Sequence, residues 1–474
     1  MIESSASTGA VNVTRLIDDG PLTRFQIVTI VCCALVSALD GIDTQSIGVA
    51  APFIAEELGV KLANFGPIFS SALVGATVGA ASFGPLADRF GRKTLLIVAV
   101  LLIGGFTILT VFAHSVPMLM AIRVLAGLGL GGATPCFIAL TSEYTPARLR
   151  AALVTLMWSA FPLGGLLGGL LNWYLIPHAG WRAIFYIGGV APLVLAVVLF
   201  LYLPESIKFL LVQRNDMKGV GRIVARFRSS LVRGDAHFVL DEKPLPGASI
   251  RHLFTEGRAL GTLLLWVPFF MGFGVLTVAV LWTPALLKLN GISPANTAFV
   301  VAFNGLGGFI GQSTSGRLIQ RFGIVPVLTP AFLLGAAATV GLGYGASSIA
   351  LAATFIGLIG VFMGLGTGGA IALAATIYPT PIRSTGAGWG MAMGRFGQII
   401  GPLIAGVLLG AGWTTGPIMT VTACGGLIGA SSPSCSARGS VGGGWKASPP
   451  ARPRRRRPFP FDALPIGQEL RAGD

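Results

Sequence analysis

Apolar runs long enough to cross a lipid bilayer recur along most of this chain, and they limit its fold more than any other feature. A span needs about 20 apolar residues, because a helix rises about 1.5 Å per residue through a core of about 30 Å. Eleven runs reach that length and a twelfth, 417–430, falls short of it. The eleven occupy residues 25–50, 65–86, 94–113, 116–139, 151–174, 181–203, 259–287, 295–316, 325–344, 346–372 and 384–411.

The composition agrees with a chain built for a membrane. Charged residues make up 11% of the 474, whereas a soluble domain carries about 25%. The net charge of +15 would suit nucleic acid, but the placement of the cations indicates membrane topology, so no nucleic-acid partner is predicted. The five cysteines have no metal-ligand spacing, and neither a metal, a cofactor nor an enzymatic activity is expected.

Basic residues concentrate in alternate loops. By the positive-inside rule these loops, and with them the N-terminus, are cytoplasmic. The sequence therefore predicts a multi-pass protein of the bacterial inner (cytoplasmic) membrane, without a cleavable leader. The basic loop residues include Arg89, Arg92, Lys93, Arg148, Arg150, Arg317, Arg321, Arg383 and the cations of the stretch 204–258.

The two halves of the chain repeat. The segment "GPLADRFGRK" (84–93) follows the second run, and "GRLIQRFGI" (316–324) follows the eighth. Two parallel six-helix repeats are typical of a secondary transporter whose binding site lies between them near the middle of the bilayer. We divide the chain into an N-terminal half (1–203), a central cytoplasmic loop (204–258), a C-terminal half (259–430) and a tail (431–474). The predicted fold is all-α.

Ionisable residues inside the apolar runs are functional candidates, because a charge in hydrocarbon is expensive. Asp40 and Asp43 lie three residues apart in the first run, Arg123 lies in the fourth, and Arg395 in the eleventh. Asp40 is about 24 Å along its helix, and Arg123 is about 10 Å from the outer end of its own. A partnership of Arg123 with either acid is therefore allowed.

These four residues define a mechanistic hypothesis. Two carboxylates one turn apart in low-dielectric surroundings resist being charged together, so Asp40 and Asp43 are predicted to carry protons. Which of them moves the proton, and whether one is only the structural counter-ion of Arg123, stays open. A guanidinium offers a carboxylate two parallel hydrogen bonds, so Arg395 and Arg123 are predicted to bind the substrate.

The cytoplasmic ends of the helices carry a predicted gate. Asp88 is placed to accept a charge-assisted bond from the other half and so to latch the gate. In the second copy of the loop Gln320 stands where the acid would be, and a weaker latch is expected there. The predicted gating residues are Gly84, Asp88, Arg89, Gly91, Arg92, Glu143, Arg148, Arg317, Arg321 and Arg383.

Together these motifs resemble the aromatic acid:proton symporters of the major facilitator superfamily. The resemblance lies in the gate loop pattern G-x-L-x-D-R-x-G-R-K, in "DGID" (40–43), in "RVLAGLGLGGATPCFIALTSEYTPARLRA" from Arg123, and in "GRFGQIIGP" from Gly394. It runs from about Leu22 to about Ile418. It implies the major facilitator fold, and proton-coupled uptake of small aromatic acids such as hydroxybenzoates for aromatic catabolism, with Asp40 and Asp43 involved. Ile42 and Gln320 depart from the family pattern and leave the substrate's identity open.

Other transport functions stay open. The chain could carry another organic anion, a sugar or a drug, could export its substrate, or could be a sensor with the same fold. Sugar porters usually carry amides on the fifth and seventh helices. Here those helices are poor in amides, and the seventh carries Trp266, Phe269, Phe270, Phe273 and Trp282. An amide-poor cavity suited to an apolar ring is therefore expected, in a protein that acts as a monomer in the bilayer.

The C-terminal sequence stops fitting the pattern from about Cys424. It becomes rich in Ser, Gly, Pro and Arg, and includes the run Arg454–Arg457. Such a composition predicts disorder. We interpret the tail as the product of a shifted reading frame that replaced the end of the twelfth helix.

Overall fold

The bilayer-length runs fold into long α-helices. The computed structural model describes residues 10–227, 237–239, 250–255, 258–378 and 382–442. In the first half, a short segment precedes the first span, and Gly180, with a φ of 74°, divides the last helix into two spans. In chain order the elements are β1 (Ala10–Asn12), α1 (Val13–Asp18), α2 (Arg24–Glu57), α3 (Phe65–Phe90), α4 (Arg92–Leu109), α5 (Val116–Glu143), α6 (Ala147–Trp158) and α7 (Ala160–Tyr202).

The second half repeats the arrangement after a central segment of short elements. That segment contains α8 (Ile207–Val212), α9 (Met217–Phe227) and β2 (His237–Val239). The spans of the second half are α10 (Ala259–Leu289), α11 (Pro294–Phe322), α12 (Ile324–Tyr344), α13 (Ile349–Ile377), α14 (Arg383–Gly410) and α15 (Thr415–Gly442).

Hydropathy alone does not identify every span. Within the described residues, nine helical stretches are long and apolar enough to cross a membrane, and 147–202 is counted among them as one stretch. α11 and α15 have the length but carry more polar residues. The predicted all-α membrane fold of two six-helix halves is confirmed.

The twelfth helix differs from the expectation. It was predicted to be too short for a full span, yet α15 is a continuous helix of 28 residues that ends at Gly442, beyond the predicted end at 430. Its glycines pack on two neighbours, with Gly425 against Met271 of α10 and Gly429 against Phe332 of α12. Most of the predicted tail, 443–474, lies outside the described residues, so the frame-shift interpretation stays a prediction.

Small residues let the helices within each half approach closely, as is usual in membranes. A Cβ built on Gly131 of α5 would lie 1.8 Å from the backbone oxygen of Ala76 in α3. In the second half, a Cβ on Gly311 of α11 would lie 2.1 Å from the backbone oxygen of Val361 in α13. The internal repeat is therefore visible in packing as well as in sequence.

The close contact at Gly131 leads to a first prediction. Gly131→Ala should destabilise the protein by about 1–3 kcal/mol or more, because α3 and α5 must separate to admit the methyl group. The matched control is Gly105→Ala in α4, where a Cβ meets nothing within 4 Å. Thermal unfolding of the purified variants in detergent measures both changes. Equal unfolding temperatures for the two variants would contradict the packing described here.

The bundle has two chemically different ends. We call the end at which α2 begins, and near which α8 and α9 lie, the loop face, and the end at which α2 finishes the far face. At the loop face β1 pairs in parallel with β2. Val13 of α1 and Val220 and Val224 of α9 are fully buried against the first half. The N-terminal segment and the central segment thus form one cap on that half.

The two halves contact each other mainly near the far face. There the Ser70 hydroxyl donates to the backbone oxygen of Ile399 over 2.7 Å. Phe69 meets Trp282 edge to face at 5.5 Å, and Lys288 of the second half forms an ion pair with Glu56 of the first. Near the loop face, by contrast, a Cβ at Gly84 or at Gly388 would meet nothing within 4 Å. The contacts named here thus join the halves at the far face, while Gly84 and Gly388 near the loop face have open space beside them.

Candidate functional site

A large cavity lies between the two halves. It holds about 1480 Å³ of empty space, counted with its opening to solvent. Its wall extends from Phe69 and Leu281, near the far face, to Ile371, which lies six residues before the loop-face end of α13. Three of the four predicted intramembrane charges line it: Asp40, Arg123 and Arg395.

Asp43 and Arg123 form a buried ion pair within the first half. The Arg123 Nη2 donates to Asp43 Oδ2 over 2.7 Å, and Nη1 donates to Asp43 Oδ1 over 3.3 Å. The Thr107 hydroxyl donates to the same Oδ1 over 2.8 Å. Both charged side chains are nearly inaccessible, at 1% and 2% exposure. The predicted partnership of Arg123 with an acid of the first span therefore exists, and the partner is Asp43 of α2.

Asp40 faces the cavity instead. Its Oδ1 accepts a bond of 3.4 Å from the Thr44 hydroxyl, one turn along α2. Among the described residues no basic side chain lies within ion-pair distance of it. From the other half, Arg395 of α14 lines the same cavity.

Arg395 is only partly engaged. Its Nη1 donates to Gln398 Oε1 over 3.3 Å, and no other hydrogen bond to it is found in the described part of the chain. A guanidinium has five N–H donors. Arg395 therefore has donors left for an anion in the cavity, and an acid of the opposite half lies across from it.

The expectation of an amide-poor cavity is wrong. Helices α6, α7 and α10 contribute no amide to the wall, as predicted, but Gln45 of α2, Asn304 and Gln312 of α11, and Gln398 of α14 all line it. Sequence reasoning considered only the fifth and seventh spans. The sequence did carry a signal for this amide-bearing face of α11. Asn304, Gly308 and Gln312 follow at intervals of four residues, which places them on one side of a helix.

The aromatic part of the wall comes from several helices. Of the five aromatics on the seventh span, only Phe273 lines the cavity among the described residues. Trp282 is fully buried and donates from Nε1 to the backbone oxygen of Pro402 over 3.2 Å. Phe69, Trp158 and Phe161, which were not predicted, complete the apolar wall.

Three of the predicted gating residues of the first half, Asp88, Arg92 and Glu143, form one network at the loop face. Arg92 is paired with Glu143 of α5 and, at 3.4 Å, with Asp88. The Ser206 hydroxyl donates to Glu143 Oε2 over 2.7 Å. Gly91, with a φ of +103°, makes the turn between α3 and α4, and Gly323 repeats it at +89° in the second half. Asp88 itself is 67% exposed.

Glu205 belongs to this network and was not predicted. Its Oε1 accepts from the backbone N–H of Lys93 over 3.0 Å and of Ser206 over 2.8 Å. The Tyr144 hydroxyl donates to the Glu205 backbone oxygen over 2.6 Å. The acid in "PES" (204–206), just after the sixth span, was the signal available in the sequence.

The other gating candidates contact only their own half in the described structure. Arg148 donates to the backbone oxygen of Gly20 over 3.0 Å, and the Arg89 and Arg321 guanidinium groups lie over the rings of Phe90 and Phe322. Arg317 is exposed, Gly84 faces open space, and the side chain of Arg383 lies outside the described residues. Within the part of the chain that the structure describes, Asp88 makes no ion pair or hydrogen bond with the other half. The gating roles stay predictions.

Comparisons with known proteins agree with this architecture. The family model of the Major Facilitator Superfamily matches residues 33–355 and 278–435. The 4-hydroxybenzoate transporter PcaK of Pseudomonas putida is 36% identical over 423 residues, which cover 89% of this chain and 94% of that protein. The gallate transporter of Pseudomonas putida is 34% identical and covers 85% and 90% of the two chains.

A solved structure supports the fold. The inward open conformation of the xylose transporter XylE from E. coli superposes with a TM-score of 0.69 over 90% of this chain and 98% of that one, at 18% identity. The relatives and this fold neighbour are transporters, which agrees with the expectation that the chain is no enzyme.

Proposed function

The chain belongs to the major facilitator superfamily, and on that premise we propose that it takes up aromatic carboxylates, such as hydroxybenzoates, together with protons. The relatives that match most of the chain are named for aromatic acids. We place the protein in the bacterial inner membrane as a monomer. Its loop face would lie in the cytoplasm, because the basic loops lie there.

One observation carries the proposal: Asp40 and Arg395 face the same cavity from opposite halves. The substrate carboxylate would bind the free donors of Arg395, in a forked geometry that suits a carboxylate. The ring would lie among Phe69, Phe161 and Phe273. In this proposal the cavity holds an anion-binding group, Arg395, on one half and a proton-accepting group, Asp40, on the other half. The two halves would move relative to each other during transport.

The energetics favour a proton partner. Moving one negative charge inward against an inside-negative potential costs about 2.3 kcal/mol per 100 mV. A proton carried with the anion removes this cost, and a second proton would make uptake electrically favourable. Rocking of the two halves about the cavity would expose the site alternately to the two faces.

The two acids of α2, Asp40 and Asp43, are assigned different roles within this mechanism. Asp40 would carry the proton, because it faces the cavity and has no ion-pair partner among the described residues. Asp43 would be the counter-ion of Arg123, and its protonation would free that guanidinium toward the cavity. Arg123 lies in the cavity wall, so its predicted role in substrate binding depends on that release.

Uptake into vesicles tests the assignment. Wild-type protein should accumulate labelled 4-hydroxybenzoate when an inward proton gradient is imposed. In Asp40→Asn this gradient-driven rate should fall at least about tenfold. Exchange of internal for external substrate should continue, because only proton coupling is removed. Asp19→Asn, at an exposed acid of the loop face, is the matched control. Wild-type acceleration by the gradient in Asp40→Asn would contradict the role given to Asp40.

The amides in the cavity wall favour one alternative, a polyhydroxyl substrate such as a sugar. The wall carries donors and acceptors suited to hydroxyl groups, on Gln45, Asn304, Gln312 and Gln398. A competition panel of sugars, cationic drugs and aliphatic anions against labelled aromatic acid separates the alternatives. Competition by a sugar, together with no uptake of any aromatic acid, would replace the proposed substrate class. Uptake only from the loop-face side would indicate export.

A further inference from the structure

Gln45 is a buried amide whose N–H donors have no partner among the described residues. Its side chain is 2% exposed, and its Nε2 has no hydrogen-bond partner in the described structure. The residue nevertheless lines the cavity. A buried donor without a partner costs about 1–3 kcal/mol. The Nε2 lies beside Gly169, which does not line the cavity, whereas Oε1 lies beside Gly165, which does. A half-turn of the amide exchanges the two atoms, so Gln45 can present its N–H to a molecule in the cavity.

The surrounding helices hold the amide in place by shape. A Cβ on Gly165 of α7 would lie 2.9 Å from Gln45 Oε1, and a Cβ on Gly169 would lie 2.4 Å from Nε2. The space that the Gln45 amide occupies thus exists because α7 carries glycine at both positions. The same point at Gly169 lies 2.7 Å from the Ala302 Cβ of α11. Gln45 is therefore wedged between α7 and α11.

Asn304 supplies an acceptor at the same level. It lies between Ala302 and Gly305, the stretch of α11 that packs beside Gln45. Its Nδ2 donates to the backbone oxygen of Ile356 over 3.3 Å. This bond fixes the amide and leaves Oδ1 without a donor among the described residues. Asn304 also lines the cavity.

The amide pair is displaced from the charged pair along the membrane normal. Gln45 follows Asp40 by five residues, which places it about 7.5 Å nearer the far face along α2. A benzene ring that carries a carboxylate at one end and a hydroxyl at the other would span a comparable length. The cavity thus has a charged end at Arg395 and Asp40, and a neutral hydrogen-bonding end at Gln45 and Asn304.

We propose that Gln45 and Asn304 form a subsite for the ring hydroxyl of a hydroxylated aromatic acid. The Gln45 N–H donates to the phenol oxygen, and the phenol O–H donates to Asn304 Oδ1. The subsite rests on the proposed function, because it assumes that the carboxylate of the same molecule binds at Arg395. It makes the protein selective for hydroxylated over unsubstituted rings, since an unsubstituted ring leaves both amides unpaired.

Substrate affinity in the wild-type protein provides the first test, and it needs no variant. Dissociation constants for 4-hydroxybenzoate, 4-methoxybenzoate and benzoate are measured by competition in vesicles. The hydroxylated acid should bind about thirtyfold to hundredfold more tightly than benzoate, because it makes two more hydrogen bonds, each of which contributes up to about tenfold. The methoxy compound should fall between them, because it accepts from Gln45 but donates nothing. Equal affinities for all three would overturn the subsite and leave aromatic acid transport standing. Absence of uptake for all three would instead refute the proposed function.

The variant test uses two amides of the same cavity. Gln45→Met keeps the length of the side chain and removes its hydrogen-bonding groups. Gln312→Met makes the same change at a half-buried amide. The Oε1 of Gln312 has no partner among the described residues. Gln45→Met should weaken 4-hydroxybenzoate about tenfold and change benzoate by less than about twofold. Gln312→Met should preserve the discrimination. A selective loss in Gln312→Met instead, or an equal loss for both acids in Gln45→Met, would overturn the assignment of Gln45.

Discussion

Arg123→Met is expected to destabilise the protein by about 3–5 kcal/mol, because it leaves the Asp43 carboxylate buried without its counter-charge. The pair is nearly inaccessible and bidentate, with the shorter bond at 2.7 Å. The double variant Arg123→Met with Asp43→Leu should recover most of that loss, since an apolar replacement of a buried pair is often neutral. Equilibrium unfolding of the purified variants measures the cycle.

The chain offers a matched control for this cycle. Arg182 and Glu57 form an ion pair near the far face, with side chains 49% and 43% exposed. Arg182→Met should cost about 0–1 kcal/mol, because solvent already screens that pair. A cost in Arg123→Met as small as the cost in Arg182→Met would contradict the buried geometry. Failure of the double variant to recover would show that Asp43 or Arg123 has a further structural partner.

Arg395→Met is expected to abolish saturable uptake of aromatic acids at ordinary concentrations. Each charge-assisted hydrogen bond contributes about 1.5–3 kcal/mol, so losing both bonds of the fork should weaken binding by at least about a hundredfold. Arg395→Lys keeps the charge but loses the planar fork, and should retain part of the affinity. Competition binding of the acid against labelled substrate measures both variants.

Neutral analogues make the test of Arg395 specific. In wild-type protein the acid should bind much more tightly than its methyl ester, since only the acid offers a carboxylate. In Arg395→Met the two should bind about equally. A variant that still prefers the acid over the ester would place the carboxylate elsewhere in the cavity, and Arg123 would be the next candidate.

The helices could be predicted from the sequence because the bilayer imposes a length and demands that backbone groups be satisfied within each span. The pairing of Arg123 with an acid of the first span was likewise predictable, since it depends only on depth along two helices. The sequence could not show which of Asp40 and Asp43 pairs with Arg123, because this depends on how α2 is rotated about its axis. The close contact of Gly41 with α7 fixes that rotation. A Cβ at Gly41 would lie 2.0 Å from the backbone oxygen of Phe161.

The misjudged parts share a physical cause. The amide-bearing wall was missed because Gln45, Asn304 and Gln312 are isolated polar residues in apolar or glycine-rich runs, and only the relative rotation of several helices brings them to one cavity. The twelfth helix was judged too short from its hydropathy. Yet α15 packs its glycines on α10 and α12, so tertiary contact supports the helix where hydrophobicity does not.

The placement of the four intramembrane charges has a consequence for the leakage of protons through the empty carrier. Under the proposed mechanism, rocking would leave the distance between Asp43 and Arg123 unchanged, because both belong to one half, whereas Asp40 and Arg395 belong to different halves. If a proton neutralises Asp40 while the cavity holds no substrate, Arg395 loses its counter-charge. Closing the halves around it would then bury an unpaired cation, which is expensive. The empty, protonated carrier should therefore stall, and the gradient should not be dissipated by protons that cross without cargo.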